Sequence, residues 1–206
     1  MEKKIGFVSG ALRLEGLCER KTGGRGVLVT HPHPLYGGEM TNPVVESVAA
    51  AFSSKGYSTL RFNFRGVGGS EGSYDNGRGE QDDVLAAADY FYKQGINSIH
   101  LVGYSFGAWI LGQMDRYPAF VDGMTFISPP LALLPFPPRL QLPLLNLVIT
   151  GEEDEIAPPQ LVEPAVAGWN EKAQFACIEG ADHFYFGSFR ELESRIGDFL
   201  ASLHSL

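Results

Sequence analysis

Three residue types in this 206-residue chain could together run acyl transfer, and each stands at a turn. Ser105 lies in Gly103-Tyr104-Ser105-Phe106-Gly107, after an apolar, strand-type run at residues 99–102 and before a segment able to be helical. Glycines two places before and two after the serine let a strand and a helix pass closely around a strained residue. The spacing therefore predicts strand, sharp turn and helix, with the Ser105 hydroxyl exposed at the tip. The amide of Phe106, first in that helix, is then aimed at any oxyanion formed beside the serine. A serine hydroxyl is a poor nucleophile until a base takes its proton, and a histidine base needs a carboxylate to fix its tautomer. Both partners occur downstream. Residues 144–149 read as a buried strand ending in Gly151-Glu152-Glu153-Asp154-Glu155-Ile156, which offers four carboxylates. Residues 175–178 read as the last strand, ending in Glu179-Gly180-Ala181-Asp182-His183-Phe184, which offers the histidine. Asp182 is disfavoured as the acid because adjacent side chains point apart.

Such a constellation needs a scaffold that brings loop ends together, and the rest of the chain reads as one. An antiparallel hairpin of edge strands is expected at residues 5–20, turned at Ser9-Gly10. Val27-Leu28-Val29 is a short continuous apolar run of the kind buried on both faces of a parallel sheet. Asn42-Pro43 opens a helix that Gly56 stops, residues 58–64 form a strand, and a second helix runs over 80–94. After the serine strand and helix come strands at 123–127, 144–149 and 175–178, with helices at 159–166 and 188–203. That alternation predicts a doubly wound, mostly parallel α/β sheet, and 206 residues fit one domain.

Composition narrows the partners. A net charge of -8 lacks the basic footprint that nucleic acid or an anionic membrane requires, so a small-molecule substrate is expected. Cys18 and Cys177 lie far apart in strand-like segments and read as reduced core residues of a cytoplasmic protein. The basic start is interrupted by Gly6, Ser9, Gly10, Arg13 and Glu15, which leaves no signal-peptide core. The apolar stretch 131–150 carries Pro135, Pro137, Pro138, Pro143 and Arg139 and cannot be a membrane helix. A monomer or weak homodimer is expected.

Five motifs then carry a resemblance: His31-Pro32-His33-Pro34-Leu35-Tyr36-Gly37-Gly38, the run from Arg61 through Asn63 and Arg65 to Gly72, the Ser105 turn with Ala108, Gly151 to Ile156, and Gly180 to Phe184. In this order they span nearly the whole chain, which resembles the compact, lidless bacterial serine esterases of the α/β-hydrolase superfamily, related to dienelactone hydrolases. The resemblance implies an α/β-hydrolase fold with no cap domain. It places the nucleophile at Ser105, the acid at Asp154, directly before Glu155-Ile156, and the base at His183. Asn63 departs from the wider superfamily, where aspartate is common before this motif, and reads as structural support.

In that fold the loop after the Val27 strand gives a second oxyanion amide. Pro32 and Pro34 have no amide hydrogen, which leaves Leu35 as the expected donor beside Phe106, with Tyr36 next. His31 and His33, with Glu39, could instead ligate zinc, but the rigid proline turn favours imidazoles that hold the loop by hydrogen bonds. His100 and Trp109 read as core, Arg65 as an ion pair or a cleft residue, and His204 as part of a C-terminal tail. The proline-rich loop at 128–143 is too short for a cap and is expected to wall the acyl site with Leu131, Leu133, Leu134 and Phe136. The expected activity is hydrolysis of carboxylic esters of short to medium acyl chain, with no metal or organic cofactor. Thioester or peptide hydrolysis, or perhydrolysis, could use the same residues. A catalytically silent scaffold serving as a binding module is the reading of a different class.

Overall fold

Strands that are apolar on both faces must be covered on both, and the computed structural model, which describes residues 1–203, meets that need with one sheet between two helical layers. The chain runs through β1 (Lys3–Ser9), β2 (Leu12–Glu19), β3 (Arg25–Thr30), α1 (Pro43–Ser54), β4 (Ser58–Phe62), α2 (Arg78–Lys93), β5 (Ser98–Tyr104) and α3 (Phe106–Gln113). It continues through β6 (Val121–Ile127), β7 (Leu145–Gly151), α4 (Pro159–Trp169), β8 (Gln174–Ile178) and α5 (Phe189–Leu203). The strands are ordered β1-β2-β4-β3-β5-β6-β7-β8. β1 and β2 pair antiparallel, as do β2 and β4, and every later pairing is parallel. No cap domain is present among the described residues, and His204 lies outside them.

One face packs Leu28, Leu101 and Val148 against residues of α2, α3 and α4 such as Val84, Ile110 and Val162. The other packs Val27, Val29 and Val102 against α1 and α5. In α5 the buried residues are Leu192, Ile196, Phe199 and Leu200, a helical stripe, and burying each side chain is worth about 1.5–3 kcal/mol. α1 starts where expected: the Asn42 side chain accepts from the Val44 amide at 2.9 Å, and Pro43 needs no partner in the first turn.

Two expectations fail on topology. β2 is not an edge strand, because it is also paired with β4, a partner some forty residues away that its own sequence does not announce. Cys177 is exposed rather than core, since β8 closes the sheet at one edge and keeps only Ile178 buried; Cys18 is buried as expected, and burial pushes its thiol up to about 11. From β3 the chain moves outward to β4, then crosses back to β5 on the other side. The loops following β3 and β5 therefore part at a switch point, where open α/β sheets place their ligands.

Candidate active site

The turn after β5 is strained as its spacing requires. Ser105 has φ 53° and ψ -115°, and its amide donates to the Ile127 carbonyl at 2.9 Å. A Cβ on Gly103 would lie 2.4 Å from the Ala108 nitrogen, and one on Gly107 would lie 2.4 Å from Thr30 Oγ1, so neither position admits a side chain. Ser105 is nonetheless only 7% exposed, less than expected of a tip residue, because the His183 imidazole lies across its hydroxyl.

Three loop ends meet here. His183 Nε2 is 2.9 Å from Ser105 Oγ, and His183 Nδ1 is 2.9 Å from each Asp154 oxygen. With the carboxylate accepting from Nδ1–H, Nε2 is left to accept the serine proton. Asp154 Oδ1 also accepts from the amides of Ile156 (2.9 Å) and Ala157 (2.7 Å). Burial alone would push the Asp154 carboxyl up; bonding and charge from His183, the Ser128 hydroxyl and the Ala157 amide outweigh it and hold it below the usual range. His183 is anchored from below, since the Tyr104 hydroxyl donates to its carbonyl at 2.9 Å. Behind Asp154, Ser128 Oγ and the Tyr185 hydroxyl are 2.8 Å apart, both fully buried. Glu152 instead accepts from the Gly180 amide and Asp182 from the amides of Phe184 and Phe186, so neither carboxylate reaches the imidazole.

The loop after β3 corrects one expectation. Leu35 does not offer a free amide: it donates to His33 Nδ1 at 3.2 Å, the cap of a short turn at Pro34–Tyr36. The Tyr36 amide goes to the His33 carbonyl at 3.0 Å. Among the described residues, the amides of Phe106 and His33 donate to no protein acceptor, and the rings of these two residues lie 4.6 Å apart. The sequence excludes Pro32 and Pro34 as donors, but it does not show the His33 ring turning back to take the Leu35 hydrogen. His31 uses both ring nitrogens, Nε2 accepting from the Phe64 amide (3.1 Å) and Nδ1 donating to the Pro32 carbonyl (2.7 Å). No group of three or more histidine, cysteine, aspartate or glutamate side chains able to hold a metal occurs among the described residues.

The remaining motif residues hold the frame. Asn63 donates to Glu15 (2.7 Å) and accepts from the Met40 amide (2.8 Å), and Arg65 is committed to Asp83 through Nε (3.0 Å) and Nη2 (2.8 Å). His100 is buried against Thr125 at 2.8 Å. Trp109 packs partly buried on Phe106 and donates to the Pro135 carbonyl at 2.9 Å, tying α3 to the proline-rich loop. That loop is less of an acyl wall than expected: Phe136 turns away onto Trp169 (4.9 Å), Leu131 and Leu134 pack on the core, and Leu133 stands in solvent.

The sheet order and the uncapped loop ends define an α/β-hydrolase fold of the compact, lidless kind. Residues 27–174 match the model of the alpha/beta hydrolase family, and the chain belongs to that family. It is 35% identical over 205 residues to an uncharacterized protein of Rickettsia prowazekii, covering 94% of this chain and 86% of that one. Its structure is similar to an alpha-beta serine hydrolase homologue from Coxiella burnetii (33% identity, TM-score 0.87, 95% of this chain and 96% of that one). It is also similar to an α/β serine hydrolase without a lid from Xanthomonas campestris (27% identity, TM-score 0.88, 98% and 94% covered). Among the described residues, no helix is long and apolar enough to cross a membrane.

Proposed function

We propose that the protein is a serine hydrolase cleaving carboxylic esters through an acyl-enzyme, with Ser105 as nucleophile, His183 as base and Asp154 as the acid that orients it. The supporting observation is the unbroken hydrogen-bonded chain from Ser105 Oγ through His183 to Asp154. His183 Nε2 takes the serine proton as Oγ bonds to the ester carbonyl carbon. The resulting oxyanion is received by the amides of Phe106 and His33, the second replacing Leu35 in that role. Collapse breaks the carbon–oxygen bond to the alcohol, which leaves with the proton from Nε2; water, deprotonated by the same nitrogen, then releases the acid. A site without a cap suits short to medium acyl chains.

A fluorophosphonate probe should label the wild-type chain at Ser105, and Ser105→Ala should lose both labelling and ester turnover, the latter by about 10⁴-fold or more. Undiminished turnover in that variant would refute the assignment. An unlabelled, inactive wild type would favour the silent scaffold.

A further inference from the structure

Two exposed aromatic side chains follow the histidine directly, and nothing in the steps above uses them. Residues 182–186 form a pinned turn. The Asp182 side chain accepts from the Phe184 amide at 3.0 Å and the Phe186 amide at 3.4 Å, while the Tyr185 amide donates to the Asp182 carbonyl at 3.2 Å. Tyr185, between them, takes φ 58° and is completely buried, its hydroxyl fixed on Ser128. A side chain anchored inward at 185 turns its neighbours out, and Phe184 and Phe186 are 51% and 71% exposed. The Phe184 ring meets the His183 imidazole at 5.6 Å and 88°, and Phe186 lies 6.0 Å from Phe184. The turn thus spends backbone strain and a carboxylate to hold two phenyl rings in water beside the base. A backbone fixed before binding loses little freedom when a ligand covers the rings it carries.

Resting on the serine-hydrolase reading, we propose that Phe184 and Phe186 bind the alcohol portion of the ester, and that the preferred substrates are esters of aromatic or similarly bulky apolar alcohols. The chemistry sets which portion it is. The carbonyl oxygen turns toward the Phe106 and His33 amides, whereas the leaving oxygen must take the proton held on His183 Nε2 and so lies within hydrogen-bond reach of that nitrogen. Whatever is attached to the leaving oxygen departs past the imidazole, and Phe184 is the exposed ring in contact with it. Once the carbon–oxygen bond has broken and the protonated alcohol has gone, the platform is empty. It therefore acts on acylation and not on hydrolysis of the acyl-enzyme.

Ethyl acetate and 2-phenylethyl acetate separate the two steps, because both give the same acetyl-enzyme. The wild type should favour the phenylethyl ester in kcat/KM. Phe184→Ala and Phe186→Ala should each reduce that preference by about 2- to 10-fold, the range expected for one aromatic contact. Phe186→Leu should reduce it less. Decay of the acetyl-enzyme after a p-nitrophenyl acetate burst should not slow in these variants. An unchanged preference in a chain that still labels at Ser105 would overturn the platform alone. Deacylation slowed by the same factor would overturn it too, making the turn a support for His183. A wild type that neither labels nor turns over would refute the serine reading, and the platform with it.

Discussion

At the scale of single residues, two neighbouring motifs each put a carboxylate near His183, and hydrogen bonds separate their jobs. Asp154 receives His183 Nδ1, whereas Asp182 receives the amides of Phe184 and Phe186. Asp154→Asn keeps an acceptor for the Ile156 and Ala157 amides but cannot stabilise the imidazolium, and it permits the wrong tautomer. It should lower kcat on the order of 10²- to 10⁴-fold. Asp182→Asn keeps the oxygen that caps the turn and should cost less than about 10-fold. Steady-state kinetics on one ester would rank the pair, and a reversed ranking would move the orienting role to Asp182. That these three polar side chains meet was legible because acyl transfer, if it occurs here, demands those types at strand ends. The proposed second amide was not, because a backbone donor has no residue type and becomes a candidate only once each competing hydrogen bond is assigned.

The element proposed to carry that donor is the loop after β3, which one histidine holds. His33 accepts the Leu35 hydrogen on Nδ1, and its ring packs on Tyr36 (4.8 Å), Tyr74 (5.1 Å) and Phe106 (4.6 Å). Burial lowers its pKa, which keeps Nδ1 unprotonated and able to accept. Asparagine caps such turns well, and a lost cap costs about 1 kcal/mol. His33→Asn should therefore keep more activity than His33→Ala. The alanine variant should lose about 10-fold in kcat, below the 10²- to 10³-fold ceiling for removing an oxyanion donor altogether. Equal losses in the two variants, measured under saturating ester, would show that the cap does not position the loop. Among elements generally, the strands buried on both faces were plain from unbroken apolar runs such as Val27-Leu28-Val29. The partner of β2 and the open face of β8 were not, since sheet order depends on residues far away in sequence.

Taken whole, the molecule is a sheet covered on both faces whose parallel packing encloses two imidazoles far from water. Burial lowers the pKa of His31 to about 4 and that of His100 to about 3, against an ordinary 6.5. Between pH 6.5 and about 4 the unfolded chain thus binds protons that the folded chain refuses, and stability must rise with pH across that window. Below it Asp154, held under the usual carboxylate range, adds a loss of the same sign. Each imidazole contributes at most about 1.4 kcal/mol per pH unit, so acidification from pH 6.5 to 4.5 should remove on the order of 3–5 kcal/mol through the two together. Urea unfolding at several pH values tests this, and His100→Asn, which keeps a polar partner for Thr125 but has no proton to gain, isolates one share. The variant is expected to be less stable than wild type at pH 7.5, to fall less steeply toward pH 4.5, and to leave Ser105 labelling intact. A slope identical to that of the wild type would mean that His100 does not remain neutral in the folded chain.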